Sequence, residues 1–227
     1  MADDPEAATD DEHTPSLADR PSSEVLPQEE VLPRESVTGI PGVIGDLGRL
    51  DRAVYGIIAD TPTPNLDGPL RELSLLANHS KIWFAIAGGL ALFGGETGRR
   101  GALTGVISVG AASLIANVVV KPFAQRHRPD REGEDVPDAR EVPMPTSTSF
   151  PSGHSASAFA FASAVAKEIP AIAVPIRGLA GAVAYSRVHT GVHYPTDVII
   201  GSIIGASIGD VTSALLRLVR RRHTALA

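Results

Sequence analysis

The chain has 227 residues, a formal net charge of −6 and no cysteine, which excludes disulfide bonds and thiolate chemistry. Its mean hydropathy is +0.09, and its acidic balance gives no support to nucleic-acid binding. Residues 1–39 are rich in Asp, Glu, Pro and Ser and contain no aromatic residue. This composition predicts a disordered acidic tail. No basic start followed by an apolar run precedes it, so the N-terminus is not predicted to be a signal peptide.

Two amphipathic helices are predicted in residues 40–78, directly after the tail. Residues 43–60 carry too many charges among their apolar positions to cross a bilayer. A turn with two prolines at 61–64 ends this helix, and residues 66–76 form the second. We expect both helices to pack at the membrane interface, with a lid over the substrate as the alternative role.

The predicted core, residues 79–220, contains about five transmembrane helices. A bilayer needs about 20 apolar residues per helix, and several of the predicted spans are shorter, so polar flanks must complete them. The fold class is therefore predicted to be all-α, a polytopic membrane helical bundle with a disordered N-terminal tail and a basic C-terminal tail at 221–227. The five predicted spans are 82–95, 101–120, 151–166, 176–186 and 195–219.

Three glycines recur at every fourth position of the last predicted span, namely Gly201, Gly205 and Gly209. Small residues at this spacing form one face of a helix and let a neighbouring backbone approach closely. The pattern predicts a tightly packed helix pair that includes this span.

Polar residues form three blocks at the edges of the apolar runs. In the first, Lys121 is followed seven positions later by Arg128 and then by Pro129. Cationic side chains at the ends of membrane helices are costly to keep there unless they meet a common anion. Arg offers a planar fork and Lys a point charge to a phosphate. Taken alone, Lys121, Arg126 and Arg128 fit contacts to lipid headgroups better than a phosphate site, and the other two blocks shift the balance toward phosphate.

The second block is Pro151-Ser152-Gly153-His154. Ser152 is suited to cap the N-terminus of the following helix, and Gly153 would leave a backbone N–H open to a ligand. Helix N-termini bind phosphate through such groups, and His154 in the first turn could protonate a leaving oxygen. The alternative is simple helix capping beside an incidental histidine.

The third block places Arg187 after Ser186, and then His193 and Asp197 around the predicted start of the last helix at Pro195. A carboxylate four residues after a histidine can hold one imidazole nitrogen and raise the nucleophilicity of the other. A metal site built from three histidines and one aspartate is the rival interpretation. The nearby Arg and Lys residues argue against it, because they would repel a cation. His127 and His189 have no predicted role.

Together, the three blocks resemble the signature of the type 2 phosphatidic acid phosphatase superfamily, over the stretch from Lys121 to Asp197. The resemblance implies a helical bundle that needs no metal or other cofactor. The chain departs from six-helix membrane members of the superfamily because it lacks a clear first span. By the same resemblance, Lys121, Arg128 and Arg187 hold the phosphate with Ser152 and Gly153, His193 is the nucleophile, Asp197 orients it and His154 is the general acid.

The predicted function is an integral membrane phosphatase. It would hydrolyse a lipid phosphate or diphosphate, such as a polyprenyl diphosphate or phosphatidate, through a phosphohistidine. Its partners would be that substrate and the membrane lipids. Clusters of Arg and Lys between the other helix ends predict a multi-pass cell-membrane protein whose active site faces away from the cytoplasm. A soluble haloperoxidase is disfavoured by the apolar core, and a silent membrane scaffold or transporter subunit is disfavoured by the complete set of His154, His193 and Asp197. The sequence names neither the lipid nor the oligomeric state.

Overall fold

The computed structural model describes residues 40–131, 133 and 136–226, and every regular element in these residues is a helix. The all-α prediction is therefore confirmed for this part of the chain. The predicted tail, residues 1–39, lies outside the described residues. The α-helices are α1 (Ile40–Asp60), α2 (Pro64–Leu76), α3 (Lys81–Phe93), α4 (Gly95–Leu114), α5 (Gly153–Glu168), α6 (Ala173–His189) and α7 (Pro195–Leu226).

Two of the differences from the predicted helix bounds arise at prolines. Both α2 and α6 begin before their predicted starts, and Pro64 and Pro175 lie in their first turns. A proline is tolerated there because its missing N–H would have no partner in the helix. At the other end, α7 continues to Leu226. The basic residues that were predicted to form a separate tail from 221 therefore belong to its last turns.

The centre of the bundle is α5, which packs against α4, α6 and α7. All residues from 155 to 166 are buried except Phe159, which is half-buried. Trp83 of α3 packs on Phe161 with ring centroids 5.4 Å apart. The helix surrounded by protein is thus rich in Ala and Ser, whose small side chains let four neighbours crowd around it.

Two helical segments in the described residues are long and apolar enough to cross a membrane, Gly95–Phe123 and Pro195–Arg222. The other three predicted spans correspond to α3, α5 and α6, which have 13, 16 and 17 residues. At a rise of 1.5 Å per residue these helices measure roughly 20–26 Å, less than the about 30 Å of a bilayer core. Each of the five predicted spans corresponds to a helix, but only two of them meet this criterion, so the prediction of five spans is not confirmed.

The glycine pattern of α7 marks its contact with α5, as predicted. A Cβ atom at Gly201, Gly205 or Gly209 would lie 2.5, 2.1 or 2.5 Å from a backbone oxygen of that neighbour or its N-cap. No side chain fits at such distances, so the two backbones meet directly. The opposite face of α7 carries aliphatic side chains that are more than half exposed, Ile199, Ile203, Val211 and Leu215.

The glycine contact predicts a loss of stability from a single methyl group. Gly205→Ala should lower the free energy of unfolding by about 1–3 kcal/mol, because the Ala156 oxygen must move to admit it. Gly178→Ala in α6 is the matched control. Nothing lies within 4 Å of its Cβ position, so the better helix propensity should leave stability unchanged or raise it by up to about 1 kcal/mol. Thermal unfolding in detergent measures both variants, and equal melting temperatures would contradict the close contact.

Buried polar contacts fix α1 and α2 to the core. Arg140, in the short 3₁₀ turn Asp138–Arg140, is completely buried. It donates to Asp67 at 2.8 Å and to three carbonyl oxygens at the end of α1 at 2.6–3.1 Å. His189 of α6 meets the same Asp67 at 3.2 Å and the Thr63 hydroxyl at 2.9 Å. His189 was predicted to have no role, but it joins α2 to the core.

Candidate active site

One end of the bundle gathers all three polar blocks. Successive helices alternate in direction, so the C-terminal ends of α4 and α6 lie beside the N-terminal ends of α5 and α7. Lys121 follows α4 after a π-helical segment, Ile115–Val120, while Arg187 lies in the last turn of α6. Gly153 begins α5 and Pro195 begins α7. Residues that are up to 76 positions apart in sequence therefore face one another.

A cavity of about 250 Å³ opens at this end. Five of the eight predicted site residues line it, and the other three, Ser152, Arg187 and Asp197, are buried. Hydrogen bonds and helix positions place these three next to residues of the wall. The five lining residues are Lys121, Arg128, Gly153, His154 and His193.

His193 lies between a cation and a carboxylate. Its Nε2 atom is 3.4 Å from Arg128 Nη1, and its Nδ1 atom is 3.5 Å from Asp197 Oδ2. The second distance is longer than an ordinary hydrogen bond, and Nδ1 has no hydrogen-bond partner among the described residues. The ring thus turns one nitrogen toward the cavity's cations and the other toward the carboxylate, which is the arrangement that a nucleophilic histidine requires.

The surroundings of His193 keep its imidazole neutral. Burial, reinforced by the positive charges of Arg128 and Arg187, lowers the pKa of His193 to about 4, against the opposing effect of Asp197. At neutral pH the ring is therefore neutral, with a proton on one nitrogen only, and the tautomer that carries it on Nδ1 leaves a lone pair on Nε2 that can attack phosphorus.

The predicted phosphate donors are held by groups that sequence analysis missed. Arg128 donates to the carbonyl oxygens of Ser147 at 2.9 Å and Val192 at 2.6 Å. Lys121 Nζ lies 3.2 Å from the Ser147 hydroxyl. Since Ser147 contacts both cations, the loop that carries it fixes their separation.

Arg187 is held on one side only. Its Nη1 atom donates to Ser74 of α2, at 2.5 Å to the hydroxyl and 3.2 Å to the carbonyl oxygen. Its buried Nε atom has no hydrogen-bond partner among the described residues. An unpaired buried donor is costly, and a phosphate oxygen would satisfy it. The geometry is thus consistent with the predicted binding role of Arg187.

The first turn of α5 carries the predicted capping contact. The Ser152 hydroxyl accepts from the N–H of Ser155 at 3.4 Å, so the N-cap prediction is confirmed. A Cβ atom at Gly153 would lie 3.4 Å from Asn117 Oδ1. Asn117 and Lys121 both line the cavity, one within and one directly after the π-helical segment, a type of irregularity that is frequent at functional sites.

His154 is positioned by a short turn between α2 and α3. Its Nε2 atom donates to Asn78 Oδ1 at 3.0 Å. The next two residues, His79 and Ser80, have φ angles of 55° and 59°, in the left-handed region that non-glycine residues rarely adopt. Both line the cavity. Strained backbone of this kind is concentrated at functional sites, and here it holds the turn that fixes the predicted general acid.

The rival metal-site interpretation finds no ligand set in the part of the chain that the structure describes. No group of three or more His, Asp or Glu side chains converges there as metal ligands would. The described cavity instead brings together cationic side chains, Lys121 and Arg128, around His193 and His154.

The chain belongs to the PAP2 superfamily, whose family model matches residues 101–221. Decaprenylphosphoryl-5-phosphoribose phosphatase from Mycobacterium tuberculosis is 32% identical over 169 residues, which cover 72% of this chain and 86% of that protein. The protein of the same name from Mycolicibacterium smegmatis is 37% identical over 139 residues, which cover 58% of this chain and 68% of that one.

Two crystal structures share the fold. A transmembrane PAP2 type phosphatidylglycerolphosphate phosphatase from Bacillus subtilis has a TM-score of 0.59 at 23% identity, covering 77% of this chain and 88% of that chain. LpxE from Aquifex aeolicus has a TM-score of 0.56 at 25% identity, covering 72% and 94%. The predicted superfamily and the predicted class, a phosphatase of lipid phosphates, are thereby confirmed. With its two candidate spans, the chain is a membrane protein of this class.

Proposed function

We propose that the protein removes the terminal phosphate of a lipid-linked phosphosugar, in which a polyprenyl phosphate carries a phosphorylated pentose. The observation that carries the reaction is the neutral His193 between Arg128 and Asp197 at a cation-lined cavity. The proposed substrate class is supported by the 32–37% identity to decaprenylphosphoryl-5-phosphoribose phosphatases. The remaining walls of the cavity include Ser113, Asn117 and Ser157, which offer hydrogen bonds to sugar hydroxyl groups.

The first chemical step would form a phosphohistidine. His193 Nε2 attacks phosphorus while the bond to the sugar oxygen breaks, and His154 gives its proton to that oxygen. Asp197 stabilises the positive charge that develops on the imidazole. Lys121, Arg128 and Arg187 stabilise the negative charge on the equatorial phosphate oxygens, which is greatest in the transition state.

The second step would return the enzyme to its starting state. His154, now neutral, takes a proton from a water molecule whose oxygen attacks the phosphorus of the phosphohistidine. The bond to Nε2 breaks, inorganic phosphate leaves, and His193 regains its lone pair. No step requires a metal or other cofactor, because positively charged side chains supply the electrostatic stabilisation.

A substrate panel tests this proposal. Purified protein in detergent, with EDTA present, should release phosphate fastest from decaprenylphosphoryl-5-phosphoribose, and more slowly from phosphatidate, phosphatidylglycerolphosphate and a polyprenyl diphosphate. Faster release of phosphate from the polyprenyl diphosphate would contradict the proposed substrate class and indicate a diphosphate substrate instead. Activity that is lost in EDTA and restored by zinc or magnesium would support a metal site. No release from any lipid, by a folded protein, would support a silent scaffold.

For the membrane arrangement, we propose that α3 to α7 all cross the bilayer with the active site away from the cytoplasm. The end opposite the cavity carries Arg99, Arg100 and Arg177, with Arg220 paired to Glu168 at 2.6 Å. Positive charge of this kind favours the cytoplasmic side. Helices shorter than the bilayer are accommodated by local thinning and by long neighbours such as α4 and α7.

Labelling of introduced cysteines tests this orientation, since the chain has none of its own. In intact cells, Ala139→Cys should react with an impermeant thiol reagent, because its exposed turn lies on the cavity side. Arg221→Cys, at the exposed end of α7, should react only after the membrane is permeabilised. The reverse pattern would place the active site in the cytoplasm.

A further inference from the structure

A series of charged side chains connects α1 to the predicted nucleophile. Asp51 of α1 accepts from Arg126 Nη2 at 2.5 Å, and Arg126 Nη1 donates to Asp197 Oδ1 at 2.8 Å. Asp197 in turn faces His193. We propose that Arg126 and Asp51 are positioning residues for the His193–Asp197 pair. The inference rests on the proposed roles of that pair, and it assigns a function to two residues outside the three predicted blocks.

Arg126 fixes the orientation of the Asp197 carboxylate. It binds Oδ1, while Oδ2 accepts the N–H of Tyr194 at 2.9 Å and faces His193 Nδ1. With both oxygens held, the carboxylate cannot rotate away from the imidazole. The guanidinium also lies 4.2 Å from the centroid of the Tyr194 ring, a cation–π distance that limits its own movement. One interpretation of the sequence placed Arg126 in contact with lipid headgroups. The structure instead places its guanidinium against Asp51, Asp197 and Tyr194.

Asp51 holds Arg126 and the start of α7 together. Besides binding Arg126, it accepts from the backbone N–H of Thr196 at 2.9 Å and from the Thr196 hydroxyl. An N–H in the first turn of a helix has no partner within the helix, so Asp51 supplies one beside Asp197. Only 2% of Asp51 is exposed. Both oxygens of this buried carboxylate accept hydrogen bonds, Oδ1 from the Thr196 N–H and Oδ2 from Arg126 and the Thr196 hydroxyl, so α1 contributes to the site.

The position of Arg126 predicts which kinetic constant depends on it. Arg126 does not line the cavity, whereas Arg128 does. Loss of Arg126 should therefore disturb the alignment of His193 without removing a phosphate contact. It also removes the positive charge that is paired with Asp197, so the carboxylate acts more strongly on His193 and protonation of the imidazole becomes easier. Both effects differ from those of a residue that only supports the fold.

The test compares Arg126→Gln and Asp51→Asn with wild type on one lipid phosphate substrate. Loss of a contact that orients a reacting residue without touching the substrate lowers activity by about 10- to 100-fold. We therefore expect kcat to fall by that factor while KM stays unchanged. The acid limb of the kcat/KM profile should move to higher pH in Arg126→Gln. Arg126→Lys keeps the charge but cannot bind both carboxylates as a fork, so its kcat should be intermediate. It also carries the test if the glutamine variant does not fold.

Arg71→Gln is the control. Arg71 links α2 to the segment between α4 and α5, because it donates to the carbonyl oxygen of Glu141 at 2.8 Å. It should leave kcat and the pH profile unchanged. An Arg126→Gln enzyme with wild-type kcat would overturn this inference but not the proposed function. The same holds if its pH profile is unshifted and its loss of kcat is explained by a lower melting temperature. Full activity in Asp197→Asn would overturn the proposed role of the His193–Asp197 pair as well. The proposed function fails only if the wild-type protein releases no phosphate from the substrate panel, so the two failures are distinguishable.

Discussion

His193→Ala should abolish phosphate release, and Asp197→Asn should lower kcat by on the order of 10⁴-fold with the fold intact. The first change removes the atom that bonds to phosphorus. The second leaves the shape of the side chain but removes the charge that stabilises the imidazolium, and an orienting carboxylate of this kind has such an effect in other histidine-dependent enzymes. Phosphate release from detergent-solubilised protein measures both, and thermal unfolding checks that each variant is folded.

The control for these variants is His127→Ala. His127 is exposed, and among the described residues it is the His127 backbone oxygen that makes a hydrogen bond near the site, accepting from the Ser149 hydroxyl. It should retain wild-type activity. Turnover in His193→Ala at the wild-type rate would rule out the phosphohistidine mechanism. Equal losses in His193→Ala and His127→Ala would show that the assay responds to histidine substitutions in general.

Local signals in the sequence were sufficient for several parts of the site. The Ser152 cap, the start of α7 at Pro195 and the glycine face of α7 each depend on residues within two turns of one another. The order of the three blocks then predicted which helix ends meet. Helix capping and close packing have strong residue preferences, so these features could be read from the sequence without knowledge of the fold.

Contacts between distant residues could not be predicted in this way. Arg126 and Asp51 are 75 positions apart, and Arg140 and Asp67 are 73 apart. In the sequence, Asp51 is one of several charges on an amphipathic helix, and nothing local distinguishes it from its exposed neighbours. Only the packing of α1 against α6 and α7 buries it. Asn78 was missed for the same reason, since its partner His154 lies 76 residues away.

The number of spans shows a second limit of sequence analysis. A run such as α5 has few charges, so its composition predicts a membrane helix, yet its surface is covered by other helices. Hydropathy measures how apolar a segment is and does not distinguish protein neighbours from lipid. In α7, by contrast, the exposed face carries large aliphatic side chains and the face toward α5 carries glycines. That asymmetry within one helix gives the better indication of which side meets lipid.

His154→Ala should have an effect that depends on the leaving group of the substrate. On a lipid-linked phosphosugar, whose alkoxide must be protonated, kcat should fall by about 10²- to 10⁴-fold. On p-nitrophenyl phosphate, the nitrophenolate leaves without a proton, so the phosphohistidine should still form. Its hydrolysis would remain slow, because His154 is also the predicted base for water. Rapid mixing should therefore show a nitrophenolate burst in proportion to enzyme, followed by slow turnover.

Arg128→Lys separates this effect from a general loss of phosphate binding. Arg128 lies 3.4 Å from His193 and is held by Ser147 and Val192, so its fork faces a phosphate that both substrates share. Loss of such a donor costs about 10²- to 10³-fold, and the factor should be similar for the lipid and the aryl phosphate, without a burst. If His154→Ala slows both substrates equally and gives no burst, His154 would belong with the phosphate-binding residues instead. The bond from His154 to Asn78 would then serve to orient a phosphate ligand, and the proton for the leaving oxygen would have to come from another group of the cavity.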